Sequence, residues 1–227
     1  MARISIIIPT QRRAAPLAMA LASALRQNGV GDHDIEVVVV DNDQRPSARE
    51  GVAACQSTAV SKGMRLIYVH EPRPGVANAR NSAMATASGD LIAFLDDDEE
   101  ATENWLAHLV ATQTAFDADV VFGPVHARIP ENVRHNRDYL TRFFSRHDPA
   151  DTGPIDHYYG CGNSLIRRAA LSDPQSPFSA ERNHVGGEDD LLFGAMQAAG
   201  ARFAWAADAV VYEDPAPSRL SLRYTLA

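Results

Sequence analysis

Gly89-Asp90-Leu91-Ile92-Ala93-Phe94-Leu95-Asp96-Asp97-Asp98-Glu99-Glu100 runs five apolar residues directly into five acidic ones. A short apolar run of this kind reads as a strand buried on both faces, as in a parallel sheet. It ends in carboxylates, so charge gathers at one edge of that sheet. Working outward, residues 4–8, 35–40 and 66–69 are apolar runs of the same type, rich in β-branched side chains. Helical patterns lie between them: residues 16–28, a weaker one at 47–62, and 76–87, closed by Gly89. The order β-α-β-α-β-α-β predicts an α/β fold with a Rossmann-like, mostly parallel sheet and helices on both faces, because parallel neighbours need crossover connections.

In such sheets ligands sit beyond the carboxyl ends of the strands. The segments found there are Pro9-Thr10-Gln11-Arg12-Arg13, Asp41-Asn42-Asp43, His70-Glu71-Pro72-Arg73 and the acidic run at 96–100. Further along, the pattern predicts a helix at 102–116, a strand at 120–125, an irregular stretch at 130–154 with a helix at 139–144, and a strand at 163–166. A turn-rich loop at 173–187, a helix at 189–199 and one or two strands within 202–212 complete the chain. No repeat or linker divides it, so residues 1–227 are expected to form one domain.

The 227 residues are enough for one large core, and 45% hydrophobic with 22% charged residues is ordinary globular composition. A net charge of -8 opposes non-specific attraction to nucleic acid or anionic lipid. No nucleic-acid partner is expected. Lys62 is the one lysine and no glycine-rich phosphate loop with lysine is present, so arginine must do the anion work. Cys55 and Cys161 lack metal or redox spacing and read as buried reduced thiols, which suits a cytoplasmic protein. The apolar start stops at Pro9 and no run of about 18 apolar residues occurs, so neither a signal peptide nor a spanning helix is expected. Peripheral contact with the cytoplasmic face of a membrane stays open, although no amphipathic face stands out in the sequence.

On an extended backbone Asp96 and Asp98 would point the same way, about 6 to 7 Å apart. At an effective dielectric of 20 such a pair repels by roughly 2 to 3 kcal/mol. A hard divalent cation relieves this, and Mg²⁺ or Mn²⁺ held by one or two carboxylates plus a substrate diphosphate fits the ligand set. The competing reading is an acidic turn capping the helix expected from Thr102, although one residue would suffice for that. Asp41-Asn42-Asp43 suits hydrogen bonding to a nucleoside or a plain turn. Glu188-Asp189-Asp190 reads as a helix N-terminal cap or as a general base in a cleft. Gly160-Cys161-Gly162-Asn163-Ser164 offers either close backbone approach to a ligand or a turn. The arginines of the irregular region at residues 130–186 suit an anionic acceptor or lipid phosphate, or a solvated basic loop.

The chain resembles the family 2 inverting glycosyltransferases of GT-A fold. The motifs that carry the resemblance are Ile6-Ile7-Ile8-Pro9-Thr10, Val39-Val40-Asp41-Asn42, Gly75-Val76-Ala77-Asn78-Ala79-Arg80-Asn81, the stretch quoted first, Gly162-Asn163 and Gly187-Glu188-Asp189, in that order. With Ser47-Ala48 and Val211-Tyr212-Glu213 it is similar to the succinoglycan β-glucosyltransferases of bacterial exopolysaccharide synthesis. The resemblance implies a UDP-sugar donor and a saccharide or lipid-linked acceptor, with residues 1–125 as the donor half and 126–227 as the acceptor half. Thr10 and Asp41 would hold the uracil and Arg80 would support the nucleotide and the acidic motif, with Pro9, Asp96, Asp97, Gly162 and Asn163 also around the donor. Asp98 and Asp96 of the Asp-x-Asp motif would hold Mn²⁺ or Mg²⁺. Asp189, beside Glu188 and with Asp190 as its rival, would be the base.

Two departures follow from the same resemblance. Relatives often carry a metal-ligating histidine where this chain has Tyr212-Glu213-Asp214, so Glu213 is the expected substitute. Many continue into a C-terminal membrane-associated segment, whereas this sequence ends at Ala227. Two other functions compete: a sugar-nucleotide nucleotidyltransferase, which should carry glycines after the first strand, and a non-catalytic sugar-nucleotide-binding module.

Overall fold

Alternation along the first two strands sorts their side chains onto two separate cores. Ile4, Ile6, Ile8, Val37 and Val39 pack into one, and Ile7, Val38 and Val40 into the other. The period of two places successive residues on opposite faces, so an unbroken apolar run must be covered on both sides. The computed structural model describes residues 2–31, 33–147 and 149–225; Met1, Asp32, Asp148, Leu226 and Ala227 lie outside the described residues.

The chain runs β1 (Arg3–Thr10), α1 (Ala14–Ala24), β2 (Asp34–Asp41), α2 (Arg49–Ala54), α3 (Gln56–Ser61), β3 (Arg65–His70), α4 (Val76–Thr86) and β4 (Leu91–Phe94). It continues with β5 (Glu99–Ala101), α5 (Trp105–Phe116), β6 (Val120–Phe122), β7 (Val125–Ala127), α6 (Arg137–Phe144), β8 (Gly153–Ile155) and β9 (Ser164–Arg167). Last come α7 (Glu188–Ala198), β10 (Phe203–Trp205), β11 (Val211–Glu213) and α8 (Leu222–Thr225). Eight strands form one sheet in the order β3-β2-β1-β4-β9-β6-β10-β8, and β5-β11-β7 form a second. The first four strands are parallel, and β9 lies antiparallel between β4 and β6. Leu17, Leu21, Val52, Trp105 and Leu109 bring α1, α2 and α5 onto one face, while Ala83, Met84, Leu192 and Phe193 bring α4 and α7 onto the other.

The expected alternation is present, with three instructive differences. The stretch at 120–125 divides at Gly123-Pro124, and its halves join different sheets. The acidic run does not continue β4: Asp96 to Glu99 form a turn closed by the Glu99 N–H on the Asp96 carbonyl at 3.1 Å, and Glu99 then starts β5. The helix begins only at Trp105, with no acid in its first turn and no side-chain cap, so the capping reading of the acidic run is not realised. The short edge strand β8 carried no signal, since Pro154 is tolerated only at such an edge.

Gly89, which closes the turn into β4, is required by space: a Cβ there would stand 2.6 Å from the backbone nitrogen of Ser5. Cys161 is buried as expected, whereas Cys55 is only half-buried; both are free thiols. Among the described residues no helix is long and apolar enough to cross a membrane. The eight-residue α6, in contrast, is amphipathic, burying Leu140 and Phe144 while exposing Tyr139 and Phe143.

Candidate active site

The carboxyl ends of β1 and β4 and the start of α4 enclose a cleft of about 340 Å³. Pro9, Thr10, Gln11, Arg13, Asn42, Gly75, Val76, Ala79, Arg80, Asp96, Asp97, Asp98 and Arg219 line it. Of the residues expected around a donor, Pro9, Thr10, Arg80 and the three aspartates therefore meet there. Asp41 does not line it: its carboxylate accepts from Ser47 Oγ at 3.0 Å, the Ala48 N–H at 2.7 Å and the Tyr68 hydroxyl at 2.9 Å. Asn42 lines it instead, fixed by its amide donating to the carbonyls of Glu71 and Arg73. Asn163 is fully buried, accepting from Trp105 Nε1 at 2.7 Å and donating to the carbonyls of Pro124 and Ala209. It holds the loop before β9 at a positive φ of 49° rather than facing the cleft.

The aspartates of the turn face different ways. Asp97 accepts from Thr10 Oγ1 at 2.7 Å and Arg13 at 2.9 Å, and Asp98 from Arg13 at 2.7 Å. Asp96 turns toward Arg80, at 3.7 Å, and its N–H donates to Glu99 Oε2 at 2.8 Å. Gly162 is the residue that lets Asp96 sit there, because a Cβ would fall 2.7 Å from Asp96 Oδ2. β11 then delivers Glu213 from far along the chain: Glu213 pairs in register with Glu99, and Arg219 links Glu213 at 3.2 Å to Asp98 at 3.3 Å.

The cluster carries more negative charge than its arginines neutralise. Burial and Asp96 push the Glu99 carboxyl well above the usual range. Burial, then Asp98 and Asp189, raise Asp96 against the pull of Arg80. Burial pushes Asp97 up to about 6 despite Thr10 and Arg13, and burial with Asp98 pushes Glu213 up to about 7 despite Arg219. Oxygen ligands with unrelieved repulsion suit a hard divalent cation. Among the described residues no three such groups form a ready-made cage. That fits an ion held by one or two carboxylates and completed by a diphosphate.

A pH dependence follows. Asp97 and Glu213 keep protons in the folded chain where unfolded carboxyls, with ordinary values near 4, have lost them. Their contribution to stability is full below about pH 4 and is lost as pH rises through about 6 to 7. In chelating buffer the melting temperature should fall between about pH 5 and pH 7.5, and less steeply for Glu213→Gln than for the native chain, by calorimetry. Equal slopes would show that Glu213 titrates normally.

The helix α7 supplies the remaining acids. Glu188 is buried and ion-paired with Arg80. Asp189 is half-buried, its Oδ2 accepting the Cys161 N–H at 3.0 Å, and Asp190 is exposed. Burial alone would lower the Arg80 guanidinium, but Asp96, Glu188 and Asp189 raise it and keep it charged. Arg80 Nε is buried without a hydrogen-bond partner among the described residues. The loop facing α7 is stapled by Arg146, which donates to the carbonyls of Gly123, Gly160, Gly162 and Asn163. Arg146 is thus unavailable as the anion ligand considered from the sequence. Asn42 belongs to the segment that the sequence already offered as suited to a nucleoside or a turn. Sequence reasoning missed Glu99 and Arg219 as site residues, and of these only Glu99 had a signal, lying within the acidic run at the end of β4.

The family model described as Glycosyl transferase family 2 matches residues 5–173. The chain belongs to that family. This family 2 glycosyltransferase is 35% identical over 222 residues to the succinoglycan biosynthesis protein ExoM of Rhizobium meliloti (strain 1021), covering 97% of this chain and 70% of ExoM. Its fold is that of GT-A glycosyltransferases of known structure. TarS 1-349 of S. aureus in complex with UDP superposes with a TM-score of 0.69 at 20% identity, over 95% of this chain and 61% of that one. The mannosyltransferase PcManGT from Pyrobaculum calidifontis in complex with GDP-Man and Mn²⁺ gives 0.68 at 22% identity, over 95% and 58%. The chain thus spans less than two thirds of either solved structure.

Proposed function

We propose that this enzyme transfers a hexose from a UDP-sugar, with inversion, to a saccharide or lipid-linked acceptor in bacterial exopolysaccharide or cell-surface glycan synthesis. Family membership supports the reaction class, ExoM supports the biosynthetic setting, and the free thiols suit the cytoplasm. The observation that carries the reading is Asp189, a half-buried carboxylate outside the cleft lining but next in the chain to Glu188, whose partner Arg80 also reaches Asp96 of the cleft-lining turn. Asp96 and Arg80 both feel the charge of Asp189.

In this reading Pro9, Thr10 and Asn42 bind the nucleotide, with Asp41 fixing the loop after β2. Asp98, with Asp96 or Glu213, would hold Mn²⁺ or Mg²⁺, which supplies positive charge against the diphosphate leaving group. Arg80 orients Asp96 of the turn and pairs with the buried Glu188 beside Asp189. Asp189 takes the proton of the acceptor hydroxyl. The acceptor oxygen then bonds to the anomeric carbon from the face opposite the diphosphate, and the carbon–oxygen bond to the diphosphate breaks. A single displacement requires only this one base. Gly162 and Asn163 keep the loop that positions Asp189 at its distance from the turn.

Screening UDP-sugars for slow hydrolysis tests activity and donor together. One UDP-hexose should be cleaved faster than the rest, and calorimetry should show UDP binding at least about tenfold tighter with Mn²⁺ than in chelator. Equal affinity in both conditions would rule out a metal-bridged donor.

A further inference from the structure

Four of the eleven exposed large apolar side chains among the described residues gather in one place, while the other seven are dispersed over the rest of the surface. Tyr139 (39% exposed), Phe143 (47%), Leu222 (40%) and Tyr224 (48%) lie on α6 and α8, which meet through Phe144. Phe143 stands 6.1 Å from Tyr139 and 5.0 Å from Phe144 between ring centroids, and Phe144 stacks on Tyr224 at 6.5 Å. Helical spacing puts Tyr139, Arg142 and Phe143 on one face, opposite the buried Leu140 and Phe144.

The charge around these rings runs against that of the whole chain. In a protein of net charge -8, residues 129–147 hold four arginines against Glu131 and Asp138, and residues 217–225 hold two arginines and no acid. Arg134, Arg142 and Arg223 are exposed and form no ion pair among the described residues. Unpaired arginines beside exposed aromatic rings match the headgroup region of an anionic bilayer: rings sit at the headgroup–acyl boundary and each cation gains from the negative surface. The patch also reaches the cleft. The Arg219 guanidinium lies 4.8 Å over Phe144 and 5.6 Å over Tyr224 while its NH1 donates to Asp98.

We infer that α6, α8 and their exposed arginines form a docking surface for an anionic lipid bilayer, seating the mouth of the donor cleft against the headgroups. This rests on the proposed function for its purpose, delivery of a lipid-linked acceptor, but not for its physics. Sedimentation of the chain with phosphatidylcholine vesicles, with and without about 30% phosphatidylglycerol, tests it. Binding is expected only with the anionic lipid. It should weaken about thirtyfold in Arg134→Ser/Arg142→Ser, as two lost surface cations imply, and in high salt. Tyr139→Ser/Phe143→Ser should also release the protein.

No sedimentation with anionic vesicles, equal binding to neutral ones, or binding unchanged in both variants would overturn the inference. So would a dimer, by sedimentation velocity, that the aromatic variant dissolves, since a second copy would then cover the patch. UDP affinity measured on the same variants keeps the two readings apart. It should stay unchanged, and a native chain that binds vesicles but no UDP would refute the function and leave the surface standing.

Discussion

Asp189→Asn is expected to lower kcat about 10³-fold, the usual worth of a positioned general base. UDP affinity should remain within about threefold, because the lost interaction exists only in the transition state. The variant separates chemistry from architecture: asparagine still offers an oxygen to the Cys161 N–H, so the loop before β9 stays held. The neighbouring acids have different fates. Glu188 is committed to Arg80 and is buried, while Asp190 is exposed and donates its N–H to Asp189 Oδ1 at 3.0 Å. Asp190→Asn should therefore leave kcat within about tenfold of the native value. Normal turnover by Asp189→Asn with a collapse in Asp190→Asn would transfer the role to Asp190.

The largest effect on stability is expected from Arg80→Met. Arg80 is buried between Glu188 and Asp96, with its guanidinium 5.5 Å over the Phe178 ring. Removing it leaves a buried carboxylate without its cation, which costs about 3 to 5 kcal/mol. For a chain of this size that is a drop in Tm on the order of 10 °C. Replacing both partners, as in Arg80→Met/Glu188→Leu, should recover most of the loss, since a buried ion pair adds little over apolar packing. Transfer should not recover, because Asp96 would still lack its partner. A double variant as unstable as the single one in urea would show that Arg80 acts through something other than Glu188.

The strands and the acidic turn were legible because they are local. Apolar runs at 4–8, 35–40, 66–69 and 91–95 carry their own periodicity, and the runs of acids and arginines after them fall where an α/β sheet gathers its ligands. The geometry of the turn was not legible. Extended spacing would have aligned Asp96 with Asp98, but the strand stops at Phe94 and Glu99 enters a second sheet by pairing with β11, a contact no neighbouring residue announces. Arg219 was hidden for the same reason: it reaches Asp98 across 121 positions. Asn163 and Arg146 misled in the other direction. Their polar groups looked free for ligands, and the fold spends them on carbonyls. The amphipathic α6 escaped notice because eight residues give barely two turns of pattern.

The antiparallel strand β9, wedged between β4 and β6, has an implication for how such enzymes diversify. The acidic turn leaves β4, and the loop whose Cys161 N–H holds Asp189 enters β9, so one continuous ladder of backbone hydrogen bonds sets their spacing. Neither can drift without unzipping its neighbour. Under the proposed function, new acceptors would be accommodated in the segments outside that ladder, such as residues 130–154 and 173–187, with the two ends of the ladder as a fixed gauge around which recognition is free to wander.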